Sequence, residues 1–297
     1  MVGGYCTGGP HLSIMWEEFA KILLIKEKTG EKVKLVRAAR APAGTQSIGR
    51  TFELLKALGA RRKIGWRLTD LAAHCGLTVS TTHRIMACLT YMRLARQRSH
   101  DRRYVPGPML FEFALTLPDY FEFQAACKQS LARMAKHTGW VAFLSLRSED
   151  EVVCVDRVGS TSVNVLNEVG RRLPLAGSSM GVAILMALPD REQQEVLRRN
   201  RRVLRSNPAH RQRAYEEMWS RSQEWGMGLN LGDIVQGAAS VGFVIRGTDG
   251  RPVAALGLSG PVGEFTDGRI RQARRILEDE RRLIEKDQKD LIAELVF

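Results

Sequence analysis

Two groups of residues in this 297-residue chain have types and spacings that could do chemistry. The first is hydroxylic and basic. Thr78, Ser80, Thr81, Thr82 and Arg84 fall within seven positions, and Arg96, Arg98, Arg102 and Arg103 flank the polar tip Ser99-His100-Asp101. Such groups suit a polyanion: cations on phosphates give affinity, and side chains on base edges give sequence choice. Arg84 suits either a bidentate contact to guanine or a clamp on phosphate, with phosphate favoured. Ser80 has an alternative role as a helix cap. The second group is Gly177-Ser178-Ser179-Met180-Gly181, where small residues open a predicted helix. Its N–H groups and dipole could receive a carboxylate; the alternative is a capped helix start with no ligand. His74 and His83 are read as packed or surface histidines, because no second metal-type residue accompanies either. No nucleophile elbow is read, nor a Walker loop, GxGxxG or HExxH pattern, and His137 and His210 are isolated. The chain is therefore expected to bind rather than catalyse, with no cofactor and no metal.

The charge map supports the first group. The net charge is +13, and residues 47–105 hold twelve Lys/Arg against three Asp/Glu, or +9 of it. Residues 1–46 add +3, and the long remainder adds +1. So uneven a distribution points to a small polyanion-binding module joined to a different kind of domain. The five cysteines, Cys6, Cys75, Cys88, Cys127 and Cys154, are odd in number and widely spaced. That suits reduced thiols of a cytosolic protein rather than a disulfide frame or a zinc site, with Cys75 and Cys88 filling small core spaces. No apolar run reaches membrane-spanning length and no signal peptide is read, so a cytoplasmic protein is expected.

The elements that must position the basic group follow from apolar spacing. Gln46–Ala60 reads as a helix with Ser47 as N-cap and a stripe of Ile48, Phe52, Leu55 and Leu58. After the loop Arg61–Arg67, Thr69 caps a second helix that stops at Gly76, and a third helix begins near Ser80. Leu71, Ala72, Leu77, Ile85 and Leu89 would pack these helices together, with Ala72 and Ala73 permitting close approach. Two short helices joined by a Gly-containing turn are the helix-turn-helix pattern. Leu94 to Val105 then reads as a basic β-hairpin, or wing, so the whole is a winged helix-turn-helix for duplex DNA. RNA is disfavoured because Trp66, Tyr91 and Tyr104 are scattered and make no stacking surface.

Further along, Pro106–Leu117 reads as a connecting helix ended by Pro118. Asp119–His137 reads as an amphipathic helix with Phe123, Cys127, Leu131 and Met134 on one face. Strand-like runs follow at VAFLSL, EVVCVDRV and SVNVLNEV, then a helix from Ser179 to Leu188 and polar helices around Asp190–Arg199 and His210–Trp225. GLNLGDIV, ASVGFVIRG and PVAALGLSG read as three more strands, the last two joined at Asp249-Gly250. Thr266 is the expected cap of a final charged helix. One mixed α/β domain accounts for these segments.

The runs SIGRTFELLKAL, LTDLAAHCGLTVSTTHRIMACLTYMRLARQ, RRYVPGPMLFEFA, GRRLPLAGSSMGVAILMALP, EWGMGLNLGD and GRPVAALGLSGP occur in order over about residues 46–292. In series they resemble the IclR-type bacterial transcription regulators. The resemblance implies an N-terminal winged helix-turn-helix, a linker helix that helps form the dimer, and a C-terminal GAF-like α/β domain that binds a small effector. It implies that the Gly177–Gly181 segment, with Ser178, Ser179, Met180 and Gly181, contacts the effector. Three further positions of the implied pocket depart from common family residues: Asn230 replaces an acid, Ser240 a cysteine, and Gly257 the first hydroxyl of an SxSGP-like motif, while Ser259 keeps the second. These changes argue against the family's small keto acids and towards a bulkier or aromatic organic acid. Arg171 and Arg172, just before the segment, could meet an anion or stay solvated.

The fold class expected is therefore α+β. Its parts are an extension over 1–45, a DNA-binding domain over 46–105, a linker helix over 106–118 and an effector domain over 119–297. The extension, with an amphipathic helix over Leu12–Lys28, is expected to be mobile. It is either a basic arm or the product of a start codon placed too far upstream. The expected partners are an operator in double-stranded DNA, a small organic acid and a second copy of the chain, as homodimer or tetramer. Repression is the default sign of regulation. The alternative is an enzyme whose small-molecule domain is tethered to a nucleic-acid-binding module.

Overall fold

The computed structural model describes residues 44–161, 168–204 and 210–295, the side chains of 202–204 and 210–212 excepted. The expected extension helix and most of the SVNVLNEV run lie outside the described residues. The first three helices are α1 (Gln46–Ala60), α2 (Leu68–His74) and α3 (Val79–Tyr91), followed by a hairpin of β1 (Ala95–Gln97) and β2 (Tyr104–Pro106). Their core is Leu54, Leu58, Trp66, Leu71, Met86, Leu89 and Tyr104. The stripe of α1 is rotated from the expected one. Leu54, Ala57 and Leu58 are buried, whereas Ile48 and Phe52 are 55% and 58% exposed. Ala73 is exposed too, so Ala72 alone makes the close approach.

The caps also differ from expectation. Thr45, not Ser47, precedes α1, and Arg67, not Thr69, precedes α2. Thr78 caps α3, its Oγ1 accepting from the Thr81 N–H at 3.2 Å, which displaces Ser80 from that role. Gly76 takes the left-handed conformation, φ 63°, that a tight helix exit requires and that glycine adopts without cost. Trp66 and Tyr104 exchange two backbone hydrogen bonds of 2.9 and 2.8 Å, tying the wing to the loop before α2.

A short helix α4 (Met109–Ala114) and a long helix α5 (Pro118–Thr138) come next. Pro118 starts α5 rather than ending α4, because proline at the first turn gives up only an N–H that has no partner anyway. The expected face of α5 is buried as a set: Phe123, Cys127, Leu131 and Met134. Burial pushes the Cys127 and Cys154 thiols up to about 12, so both are inert packing groups. Cys88, by contrast, is exposed on α3 and fills no core space.

Among the described residues the C-terminal layers are built on six strands: β3 (Val141–Ser148), β4 (Glu151–Val158), β5 (Arg172–Pro174), β6 (Gly228–Leu231), β7 (Ala238–Arg246) and β8 (Pro252–Pro261). They form one antiparallel sheet in the order β5-β4-β3-β8-β7-β6. One face carries α5, α9 (Asp267–Asp287) and α10 (Lys289–Glu294). The other carries α6 (Ser179–Met186), α7 (Asp190–Leu204) and α8 (His210–Trp225). Thr266 precedes α9 but makes no side-chain cap.

Strand alternation places two rows of residues on the α6 face. Gly228, Gly242 and Gly257 are mutual partners across β6, β7 and β8. Two residues along, Asn230, Ser240 and Ser259 make the next row. The glycine row is a trough for the start of α6. A Cβ on Gly228 would stand 1.7 Å from Ser179 O, and one on Gly242 2.6 Å from the same oxygen. No side chain fits there. Gly242→Ala is expected to lower the unfolding free energy by about 3 kcal/mol through overpacking, measured by urea denaturation. Gly59→Ala, at an open position of α1, is expected to raise it by about 0.5 kcal/mol. Equal effects would show that the trough is not tightly packed.

Candidate functional site

The start of α6 stands in front of the polar row. Ser178 caps the helix, its Oγ accepting from the Gly181 N–H at 3.0 Å. Ser179 Oγ donates to Ser240 Oγ at 2.9 Å, joining helix to sheet. Ser259 Oγ donates to Ala239 O at 2.8 Å. Asn230 Oδ1 accepts from the Asp233 and Ile234 N–H groups at 3.0 and 3.3 Å, folding the chain after β6 back over the sheet. Between these groups lies a cavity of about 40 Å³, lined by Ser178, Ser179, Asn230, Ser240 and Ser259 with Leu173, Gly177, Ile234, Val235 and Ala238. Five of the eight expected effector residues therefore meet around one space.

Met180, Gly181 and Gly257 do not line it. Met180 turns to the other side of the trough, where its Sδ accepts from Ser145 Oγ at 3.2 Å and would lie 2.6 Å from a Cβ on Gly257. The room that Gly257 vacates is filled by the methionine rather than offered to a ligand. Gly181 is needed for packing, since a Cβ there would meet Leu175 O at 2.1 Å. Arg172 is also elsewhere, bonded to Glu151 at 2.8 Å and Ser148 at 2.9 Å. The apolar wall of Leu173, Ile234, Val235 and Ala238 was not anticipated from sequence; Ile234 and Val235 belong to a run that reads as strand but folds as a loop.

Gly177-Ser178-Ser179-Met180-Gly181 has the Gly-x-Ser-x-Gly spacing of a hydrolase nucleophile elbow, which corrects the expectation that the chain lacks one. The surroundings do not supply the remaining machinery. Among the described residues no histidine or carboxylate lines the cavity, and the partner of Ser179 is another serine hydroxyl. A larger cleft of about 510 Å³ runs between α1–α2 and the β3–β4 turn. Its guanidinium groups are already paired, Arg172 with Glu151 and Arg199 with Asp150 at 2.7 Å, so the small cavity is the better candidate. Among the described residues, no group of three or more His, Cys, Asp or Glu could hold a metal ion. No helix there is long and apolar enough to cross a membrane.

The basic group divides in a similar way. At the start of α3, Thr78 Oγ1 donates to Thr81 Oγ1 at 2.9 Å and lies 3.2 Å from Ser80 Oγ, so three hydroxyls form one cluster. Thr82 is fully buried, 0% exposed, and its Oγ1 donates to Thr78 O at 3.0 Å; it holds the helix start and cannot reach a ligand. Arg84 is exposed on the same helix. On the wing, Arg96 and Arg102 are exposed, but Arg98 is not available. Its guanidinium binds Asp101 at 2.7 Å, Lys63 O at 3.0 Å and Ile64 O, bracing the wing tip against the loop before α2. Arg103 is half engaged, its NH1 donating to Gly65 O at 3.3 Å. Burial works to raise the Asp101 pKa, but the Arg103 N–H and the Arg98 guanidinium outweigh it and hold the carboxyl below its ordinary value. The loop residues Arg61, Arg62, Lys63 and Arg67 are exposed as well. They add cations to the surface of the helical unit, from a run whose sequence reads only as a loop.

Comparison with known proteins adds the following. The family described as “Bacterial transcriptional regulator IclR C-terminal” matches residues 119–285, and the one described as “IclR helix-turn-helix domain” matches residues 47–99. The chain is similar to the glycerol operon regulatory protein of Streptomyces griseus, 28% identical over 73% of this chain and 85% of that one. It is similar to the transcriptional repressor IclR of Escherichia coli K12, 24% identical over 83% and 90% of the two chains. Its fold matches the crystal structure of an IclR homolog from Microbacterium hydrocarbonoxydans complexed with 4-hydroxybenzoate. That match has a TM-score of 0.62 at 20% identity and covers 82% of this chain and 99% of that one.

Two outcomes follow from the geometry. Arg84→Ala and Arg102→Ala are each expected to weaken duplex DNA binding and to lower the slope of log K against log salt by about one unit. Unchanged slopes in titrations would remove these residues from the interface. Because the Asp101 carboxyl is held low in the folded state, its bracing of the wing is fully present above the ordinary value of about 3.9. It is lost as pH falls below that value through the depressed one. Amide exchange in the wing should accelerate over that window, and Asp101→Asn should abolish the pH dependence.

Proposed function

The chain belongs to the IclR family of bacterial transcriptional regulators, and from that premise we propose that it acts in the cytoplasm as an effector-controlled repressor rather than as an enzyme. Two copies place their α3 helices in successive major grooves, with the wings on the flanking backbone. Thr78, Ser80 and Thr81 meet the groove, while Arg84, Arg96, Arg102 and Arg103 meet phosphate. A small organic acid enters the cavity at the start of α6 and shifts the population between forms with different operator affinity.

The observation that carries this reading is the make-up of the cavity. It gathers hydroxyls, an amide and the positive end of a helix, with an apolar wall and, among the described residues, no acid–base pair on its lining. Such a site can hold a small anion with acceptor oxygens but lacks the means to turn it over. The 4-hydroxybenzoate complex of a structural relative supports an aromatic acid as one ligand to test. Phe111, Phe113, Leu115, Leu117 and Phe121, all exposed along α4 and the start of α5, supply an apolar surface suited to a second copy.

Selection of bound fragments from genomic duplex DNA tests the operator claim. The expected result is a shared inverted repeat with half-sites about 34 Å apart. It should bind at least about 10³-fold more tightly than random duplex. Binding indifferent to sequence would overturn the claim. Phe113→Asp is expected to shift the sedimenting species towards monomer; an unchanged oligomer would place the interface elsewhere.

A further inference from the structure

Lys63 sits in the loop between α1 and α2, where the wing tip is seated. Its carbonyl oxygen accepts from the Arg98 guanidinium at 3.0 Å, and the Ile64 carbonyl accepts from the same group. An ammonium group beside the wing suits the phosphate backbone of a duplex. Here it is engaged by the other half of the chain. Lys63 Nζ donates to Glu168 Oε1 at 3.4 Å, in the turn that leads into β5 of the C-terminal domain. Neither side chain has another ion-pair or hydrogen-bond partner among the described residues. Burial raises the Cys154 thiol of β4, and the charge of Arg62, next to Lys63, is among those that oppose the rise. The loop and β4 are therefore neighbours at this point.

The contact is made in a way that lets it separate. The pair is open to water, with Lys63 70% and Glu168 51% exposed. An exposed ion pair gains little and is screened by salt. Elsewhere between the two domains stands the cleft of about 510 Å³, with charged side chains on both walls: Glu53, Lys56 and His74 on one, Glu149, Arg172 and Arg199 on the other. A polar contact beside so open a boundary is that of two docked domains free to part, not of one fused core.

Resting on the duplex-binding reading above, we propose that Glu168 is an intramolecular rival of phosphate: the Lys63–Glu168 pair docks the winged helical unit on its own C-terminal domain in a form of low DNA affinity, and duplex DNA releases it. The two partners of Lys63 exclude one another. A phosphate that takes the ammonium group must displace the Glu168 carboxylate, and a carboxylate left beside the wing root repels the backbone arriving there. DNA therefore selects the undocked form, and whatever weakens the pair raises operator affinity by enlarging that population. The contact is weak enough for a polyanion to win, as a latch requires.

The test is cross-linking of the full-length chain with a water-soluble carbodiimide, which joins a lysine amine to a carboxylate where the two already meet, read by peptide mass spectrometry. The Lys56–Glu53 pair within α1, 3.9 Å apart, is the internal reference. The free protein should yield both products, and the selected operator duplex should remove the Lys63–Glu168 product while leaving the reference. Glu168→Gln should tighten operator binding about two- to fivefold at low salt, with the gain fading as salt rises. In a Lys63→Gln background the same substitution should give no gain, because the pair is already broken. A gain that persists without Lys63 would overturn the latch. So would a free chain that yields only the reference product, or equal Lys63–Glu168 yields with and without duplex. Duplex that removes the product yet binds without sequence preference would support the latch and overturn only the operator reading.

Discussion

The C-terminal half of the molecule depends on one close approach. The start of α6 lies directly on the sheet because Gly228, Gly242 and Gly257 stand side by side in three neighbouring strands. With side chains there, the helix would ride at an ordinary helix–sheet distance. At the distance it adopts, the Ser179 hydroxyl reaches the Ser240 hydroxyl across the interface. The row that follows the glycines, Asn230, Ser240 and Ser259, then faces the space in front of the helix end. The N-terminal end of α6, the capping serine and the strand hydroxyls converge there, with no charged residue among the described residues of the lining. Packing density thereby sets where the polar groups stand.

A similar economy governs the DNA-binding half. Asp101 gathers Arg98 and the Arg103 backbone at the wing tip, and Arg98 carries that tip onto the carbonyls of Lys63 and Ile64. One guanidinium is withdrawn from solvent so that its neighbours are held in place. Arg96 and Arg102 project from a braced hairpin rather than a loose one. Thr82 does the same on α3, where its buried hydroxyl steadies the turn that presents Thr78, Ser80 and Thr81. In both places, residues that look like ligands by type alone act as supports for those that are exposed.

Much of the architecture is legible in the sequence because its signals are local. Helix α8 and strand β4 run over the same residues that periodicity predicts, and the buried face of α5 is the predicted set of four. The lesser accuracy at caps has a simple cause: Ser47, Thr69 and Ser80 are good caps by type, but the path of the backbone puts Thr45, Arg67 and Thr78 at the helix starts instead. Site membership is harder. Whether Thr82 or Arg98 faces outward depends on contacts made by Thr78, Lys63 and Ile64, and spacing does not encode them. Gly257 illustrates the limit best. The sequence shows that a side chain is missing, but only the structure shows Met180 occupying the vacancy. The cavity wall escapes for the same reason, since Leu173 and Ile234 are distant in sequence and meet only once the sheet is assembled.

The central claim is that the cavity and the operator communicate. Binding linkage requires the coupling to be reciprocal, so ligand affinity must depend on whether DNA is bound. The most direct measurement is calorimetric titration of benzoate or 4-hydroxybenzoate into the full-length protein, alone and saturated with its selected operator. The two affinities should differ by the factor through which the same ligand changes operator affinity, within the roughly 5- to 150-fold range typical of such coupling. Identical ligand affinities with and without operator would contradict it.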